Sequence, residues 1–107
     1  MIRIEETQFQ REVIESNDPV VVEFFTDWSG SAYIITGLLN ELEREYSGLV
    51  KFVNMDFDKS KQFCETYRIT KIPTILFFKN GEAVEILQGT HSRSAIIEII
   101  DLLINKN

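Results

Sequence analysis

Residues 20–26 read VVVEFFT, with apolar side chains at both odd and even positions. A strand with one wet face alternates apolar and polar residues, whereas a strand that is apolar throughout must be covered on both sides. The run therefore predicts a central strand with helices packed above and below it. Its one polar interruption, Glu23, would then lie inside the protein. The length of 107 residues fits one domain spanning 1–107, and 44% hydrophobic residues can supply its core without staples.

The neighbouring elements alternate. Residues 2–4, IRI, are a short strand candidate. Thr7 and Gln10 make a capping-box pattern that predicts a first helix running to Ser16, and NDP at 17–19 breaks the chain. Over 31–46, Ile34, Ile35, Leu38, Leu39, Leu42 and Tyr46 recur at helical spacing, and Ser47-Gly48 ends that helix. Residues 49–57, LVKFVNMDF, read as the next strand, and strand–helix–strand in this order implies a parallel pair with a right-handed crossover. A short helix over 59–67 carries Phe63, Cys64 and Tyr67 on one face. Two apolar runs within 72–88 flank Asn80-Gly81, a pair that suits a type I′ hairpin because both turn positions need positive φ. Gly89 ends the second run. Ser92 can cap a last helix with Ile96, Ile99, Ile100, Leu103 and Ile104 on its apolar face. The order β-α-β-α-β-α-β-β-α predicts an α/β fold. Its mixed central sheet is flanked by helices on both faces, with the hairpin antiparallel to the other strands.

A net charge of −6 argues against a nucleic-acid partner, which would need clustered Lys and Arg against phosphate. No apolar run approaches the roughly 18 residues of a membrane span. The N-terminal MIRIEETQ places charges where a signal peptide has its apolar stretch. A cytoplasmic protein with no membrane partner is expected. The single cysteine, Cys64, rules out an intrachain disulfide and a multi-cysteine metal site, and neither metal nor cofactor is expected. Its place beside Phe63 and three residues before Tyr67 predicts a buried core thiol.

Two longer stretches carry a resemblance. VVVEFFTDWSGSA (20–32) resembles the strand and turn that lead into Trp-Cys-Gly-Pro-Cys in the thioredoxin family. RITKIPTILFFKNGE (68–82) resembles that family's segment around its cis-proline, and Gly89 falls where the family keeps a glycine on the rim of the active site. These motifs occur in the family's order over essentially the whole chain, so the resemblance implies a thioredoxin fold. Trp28 and Gly30 match the pattern. Ser29 stands where the nucleophilic cysteine belongs, Ser31 at the proline and Ala32 at the resolving cysteine. Thr36-Gly37 falls where the family often has a proline inside the long helix.

Dithiol exchange needs a thiolate to attack a disulfide and a second thiol to resolve the mixed disulfide. Serine stays a neutral alcohol, oxygen cannot replace sulfur in a reversible disulfide, and Ala32 has no reactive atom. Ser29, Gly30, Ser31 and Ala32 are therefore expected to form a degenerate redox site. Serine is in addition a preferred helix N-cap, which accounts for its type and place. A serine nucleophile using His91, the only histidine, as base would also need an orienting group and an oxyanion hole, and the sequence displays neither.

The resemblance matches Glu23 to a buried aspartate that assists proton transfer to the resolving cysteine. Here the acid is one methylene longer, its client is missing, and desolvation is expected to raise its pKa. Trp28, Ile72, Pro73, Thr74 and Gly89 match positions lining a shallow apolar groove beside the nucleophile. There the backbone before a cis Pro73 pairs with an extended segment of a partner by strand addition. A plainer reading has Pro73 only begin a strand and Trp28 only pack. The expected function is a non-redox module that binds extended polypeptide. The alternative is a thioredoxin-type protein-disulfide reductase whose cysteines have been substituted; against it, Ser31 and Gly37 also depart from the pattern, and removing thiols requires neither change.

Overall fold

The computed structural model describes residues 1–105. All six residues of the strand Val20–Phe25 (β2) are buried. It lies at the middle of a five-stranded sheet with Ile2–Arg3 (β1), Lys51–Asp56 (β3), Thr74–Lys79 (β4) and Glu82–Gln88 (β5), in the order β1-β3-β2-β4-β5. β1, β3 and β2 are parallel, and β4 is antiparallel to β2. The expectation that the whole hairpin runs antiparallel to the other strands holds only for β4. The turn reverses the chain once more, so β5 opposes β4 and regains the direction of the parallel set. Asn80 and Gly81 take φ of 53° and 81°, the pair of positive values the turn requires.

Alternation along β2 divides the core in two. Val20, Val22 and Phe24 pack with Met55, Leu76 and Phe78 against Phe9, Val13, Cys64 and Ile69. Val21 packs with Phe52, Ile75 and Phe77 against Gly30–Glu45 (α1) and Arg93–Ile104 (α3). Helical segments thus cover both faces of a mixed sheet, the arrangement expected from the doubly apolar run.

Boundaries shift where side chains intervene. The helix expected from Thr7 to Ser16 is instead a 3-10 turn, Glu6–Gln8, followed by a π-helical segment, Gln10–Ile14. The cap forms two residues earlier than predicted, with Gln8 Oε1 accepting the Glu5 N–H at 2.9 Å. The third strand begins at Lys51 rather than 49, because the Leu49 and Val50 N–H groups both turn back to the Tyr46 carbonyl. The short helix expected over 59–67 is Lys61–Thr66 (α2). Asp56 Oδ1 accepts the N–H groups of Asp58 and Lys59 and holds the preceding residues in a turn. Ser92 caps α3 as expected, accepting the Ala95 N–H at 3.2 Å.

Candidate functional site

The site lies where β2 leaves the sheet. Thr26 remains buried, Asp27 and Trp28 turn the chain outward, and Ser29 takes an extended conformation that begins α1. Ser29 Oγ accepts the Ala32 N–H at 3.2 Å, so the hydroxyl satisfies one of the helix's free donors. Gly30 and Ser31 are exposed, while Ala32 is buried. His91 bonds the Gln88 carbonyl at 3.1 Å and makes no hydrogen bond to Ser29.

Directly inside this turn lies Glu23, fully buried on the α1 face of the sheet. Its Oε2 stands 2.7 Å from Thr36 Oγ1, and that hydroxyl is also 2.9 Å from the Ala32 carbonyl. Threonine has one hydroxyl hydrogen for these two acceptors. A protonated Glu23 removes the conflict: it donates to Thr36, and Thr36 donates to Ala32. Burial pushes the Glu23 carboxyl up to about 7, with Thr36, Asn54, Arg3 and the N-terminal ammonium lowering it by less. Asn54 sits opposite Glu23 in the β2–β3 ladder, and Glu23 Oε1 and Asn54 Oδ1 are both buried without a partner.

The other expected residues lie on the loop before β4, which pairs with β2 with Thr74 opposite Phe24, and at the end of β5. The Ile72–Pro73 peptide bond is cis. Thr74 is buried and its hydroxyl donates to the Lys71 carbonyl at 2.6 Å. Gly89, at φ 84°, donates its N–H to the Pro73 carbonyl at 2.7 Å and ties the end of β5 to this loop. Ile72 is half-buried against the core. Trp28 donates its indole N–H to Asp58 Oδ2 at 3.2 Å and leaves the ring 71% exposed. The ring is therefore fixed at one end and open along its face.

The family profile for thioredoxin matches residues 1–102. A thioredoxin of Rickettsia felis is 33% identical over 98 residues, covering 92% of this chain and 93% of that protein. This chain belongs to the thioredoxin family. It is also similar to a chloroplastic M-type thioredoxin of Spinacia oleracea, 34% identical over 98 residues, or 92% of this chain and 54% of the longer relative. Thioredoxin 1 of a Nostoc species is 27% identical over 99 residues, 92% of each chain.

A thioredoxin-family fold carrying a single thiol makes the place of Cys64 decisive. It is buried in the core on the face of the sheet away from α1, with Sγ 4.0 Å from the Phe57 carbonyl. Burial first, then the charges of Glu6 and Asp58, pushes its pKa up to about 11. At neutral pH it is a protonated, shielded thiol and a poor nucleophile.

Sequence reasoning misses two residues beside the turn. Tyr33 and Ile34 are 62% and 71% exposed, although helical spacing puts Ile34 on the apolar face. Ile35, Leu39 and Leu42 form the buried stripe. Ile34 lies about 100° around the helix from Ile35, which carries it out of that stripe. A narrower wheel centred on Ile35 places Gly30, Tyr33, Ile34 and Gly37 together on the outer face, where all four are exposed.

Proposed function

We propose that this chain is a non-redox polypeptide-binding module of the thioredoxin family, holding an extended segment of a partner protein in the groove beside Pro73. The observation that carries the reading is the pairing of an open Trp28 ring with a sulfur-free turn. The indole is anchored through its N–H yet 71% exposed, and Ser29 and Ala32 beside it are a helix cap and a buried methyl. A surface tryptophan held in one orientation supplies contact area at low entropic cost. Across from it, the backbone at Ile72 is free to pair with an extended chain, while Thr74 and Gly89 brace the loop from behind. Tyr33 and Ile34 extend the apolar rim. The cytoplasmic location expected from the sequence belongs to the same proposal; among the described residues no helix is long and apolar enough to cross a membrane.

The test is selection of binders from a displayed library of random linear peptides, followed by affinity measurement on the Trp28→Ala variant. Loss of at least about tenfold in affinity is expected for a central aromatic contact. Equal binding by the variant, or no enrichment at all, would remove the reading.

The second reading, a disulfide reductase with substituted cysteines, draws on the relatives named thioredoxin and on the buried acid retained beneath Ala32. Under either reading the chain as it stands reduces no insulin disulfides. Restoring both sulfurs with Ser29→Cys and Ala32→Cys separates them: strong reductase activity favours the second reading, and an inert double variant favours the first.

A further inference from the structure

A cavity of about 330 Å³ lies where the parallel strands β1 and β3 end, and it shares no lining residue with the groove beside Pro73. In open α/β sheets small molecules bind outside the carboxyl ends of the strands, and this volume is at the low end for such sites. Ser60, just before α2, lines the cavity and is 2% exposed. Its hydroxyl does not cap α2, and among the described residues nothing hydrogen-bonds its Oγ. A hydroxyl covered this deeply normally has a partner. The space it borders is the cavity.

Two cations and two acids complete the lining. The Arg3 guanidinium lies 4.0 Å from the centroid of the Phe25 ring, a contact that holds it in place. Phe25 stands opposite Asp56 in the β2–β3 ladder, so Arg3 reaches from β1 across the end of β3. Among the described residues neither Arg3 nor Lys59 forms an ion pair. Asp56 commits Oδ1 to the Asp58 and Lys59 N–H groups and leaves Oδ2 over, and Glu5 supplies the second carboxylate. Gln8 accepts the Glu5 N–H through Oε1, so its amide NH2 remains a donor. These groups select by elimination. An anion alone would meet Glu5 and Asp56, and a cation alone would meet Arg3 and Lys59. An apolar molecule would strip water from the charges and from Ser60 and return nothing. A molecule with both charges answers both pairs through charge-assisted hydrogen bonds. We propose that this cavity binds a small zwitterion of the free α-amino acid class, with its carboxylate on Arg3, Lys59 and the Ser60 hydroxyl and its ammonium on Asp56 and Glu5.

The experiment is an amide NMR titration of the full chain with a panel of free amino acids. The best binder is then compared with its N-acetyl derivative, which keeps only the carboxylate, and its carboxamide, which keeps only the ammonium. At least one amino acid is expected to saturate with a Kd of about 1 mM or below, moving the Arg3, Asp56 and Ser60 amides. Each derivative is expected to bind at least about tenfold more weakly, because one pair of charges goes unanswered. Ser60→Ala removes no hydrogen bond from the folded chain, so it should leave the fold intact and weaken binding about fivefold. Arg3→Met keeps an apolar stem over Phe25 and should weaken binding at least about tenfold. The proposal is overturned if no free amino acid saturates, if either derivative binds as tightly as the unmodified amino acid, or if either variant binds as the original chain does.

Discussion

The two faces of the sheet bury different chemistry. One face is built on aromatic contacts: the Phe9 ring lies 4.5 Å from Phe63 and 5.4 Å from Phe78, and Tyr67 meets Phe78 edge-on at 5.8 Å. The only sulfur of a cysteine, that of Cys64, is buried in that face. The α1 face is largely aliphatic, except for Glu23 and Asn54 beneath the Ser29–Ala32 turn. The proton-holding group and the thiol are therefore on opposite sides of β2. A buried acid with no thiol near it can store a proton but cannot pass it to a thiolate. A buried thiol whose charged influences are the carboxylates of Glu6 and Asp58 stays protonated. Each face retains half of what a dithiol reaction needs, and the sheet keeps the halves apart.

The largest expected effect puts the same chemistry on both faces. Ser29→Cys places a thiol at the start of α1, where the helix dipole lowers the pKa below the usual value of about 8.5. Cys64 remains near 11 in the same molecule. Alkylation at mildly alkaline pH, read by mass spectrometry, should modify the introduced thiol at least about 100 times faster than Cys64, from the difference in thiolate fraction. Comparable rates would mean that the two environments do not differ as described.

Next comes the acid. Glu23 ionises at 4.5 in an unperturbed chain and near 7 in the folded one. The unfolded state therefore releases its proton first as pH rises. The stability this group contributes is complete below 4.5, declines between 4.5 and 7, and is absent above. A shift of that size corresponds to about 3 kcal/mol. Glu23→Gln, neutral throughout, should flatten this part of the pH profile and exceed the parent's stability on the alkaline side by up to that amount. Denaturant titrations on either side of the interval measure it; parallel profiles for the two proteins would show that Glu23 is ionised in the folded state.

A smaller change tests how the proton is held. Thr36→Val keeps the volume and removes the hydroxyl shared by Glu23 and Ala32. The ionised acid loses its donor, so the midpoint of Glu23 should rise above 7, followed by carboxyl NMR. The stability cost should be about 1 kcal/mol where Glu23 is neutral and about 2 kcal/mol where it is charged. A falling midpoint would show that Thr36 serves the protonated form more than the ionised one.

What the sequence reveals about these faces follows from its periodicities. VVVEFFT announces two covered faces, Asn80-Gly81 the hairpin, and Ser29 and Ser92 their caps, because each rests on local backbone chemistry. Glu23 is legible as a buried acid by its place in an apolar run. Its link to Thr36 is not, since it depends on how α1 lies on the sheet. The first helix escapes sequence reading because Thr7-Gln10 and Glu5-Gln8 are competing capping pairs in the same stretch, and only the folded chain chooses Gln8. Ile34 escapes it because an apolar side chain one step off the stripe looks like core in a series of spacings. The turn itself is legible as chemistry through the missing sulfurs, whereas the open face of Trp28 requires the fold.

The smallest effect concerns Ser29, and it separates a cap from a catalyst. Its Oγ has one function in the structure, acceptance of the Ala32 N–H at 3.2 Å. Ser29→Ala leaves that donor to water at the first turn of α1, which should lower stability by about 1 kcal/mol. In a domain of this size the melting temperature should fall by about 4–8 °C. Ser29→Asp should restore the loss, because aspartate caps as well as serine and its charge suits the helix N-terminus. An aspartate would abolish any reaction that needs the serine alcohol as nucleophile. Ester hydrolysis should therefore be equally absent in the parent, Ser29→Ala and Ser29→Asp, while stability falls and recovers across the series. Hydrolysis present in the parent and lost in both variants would make the hydroxyl a reacting group, and the turn could no longer be described by its cap alone.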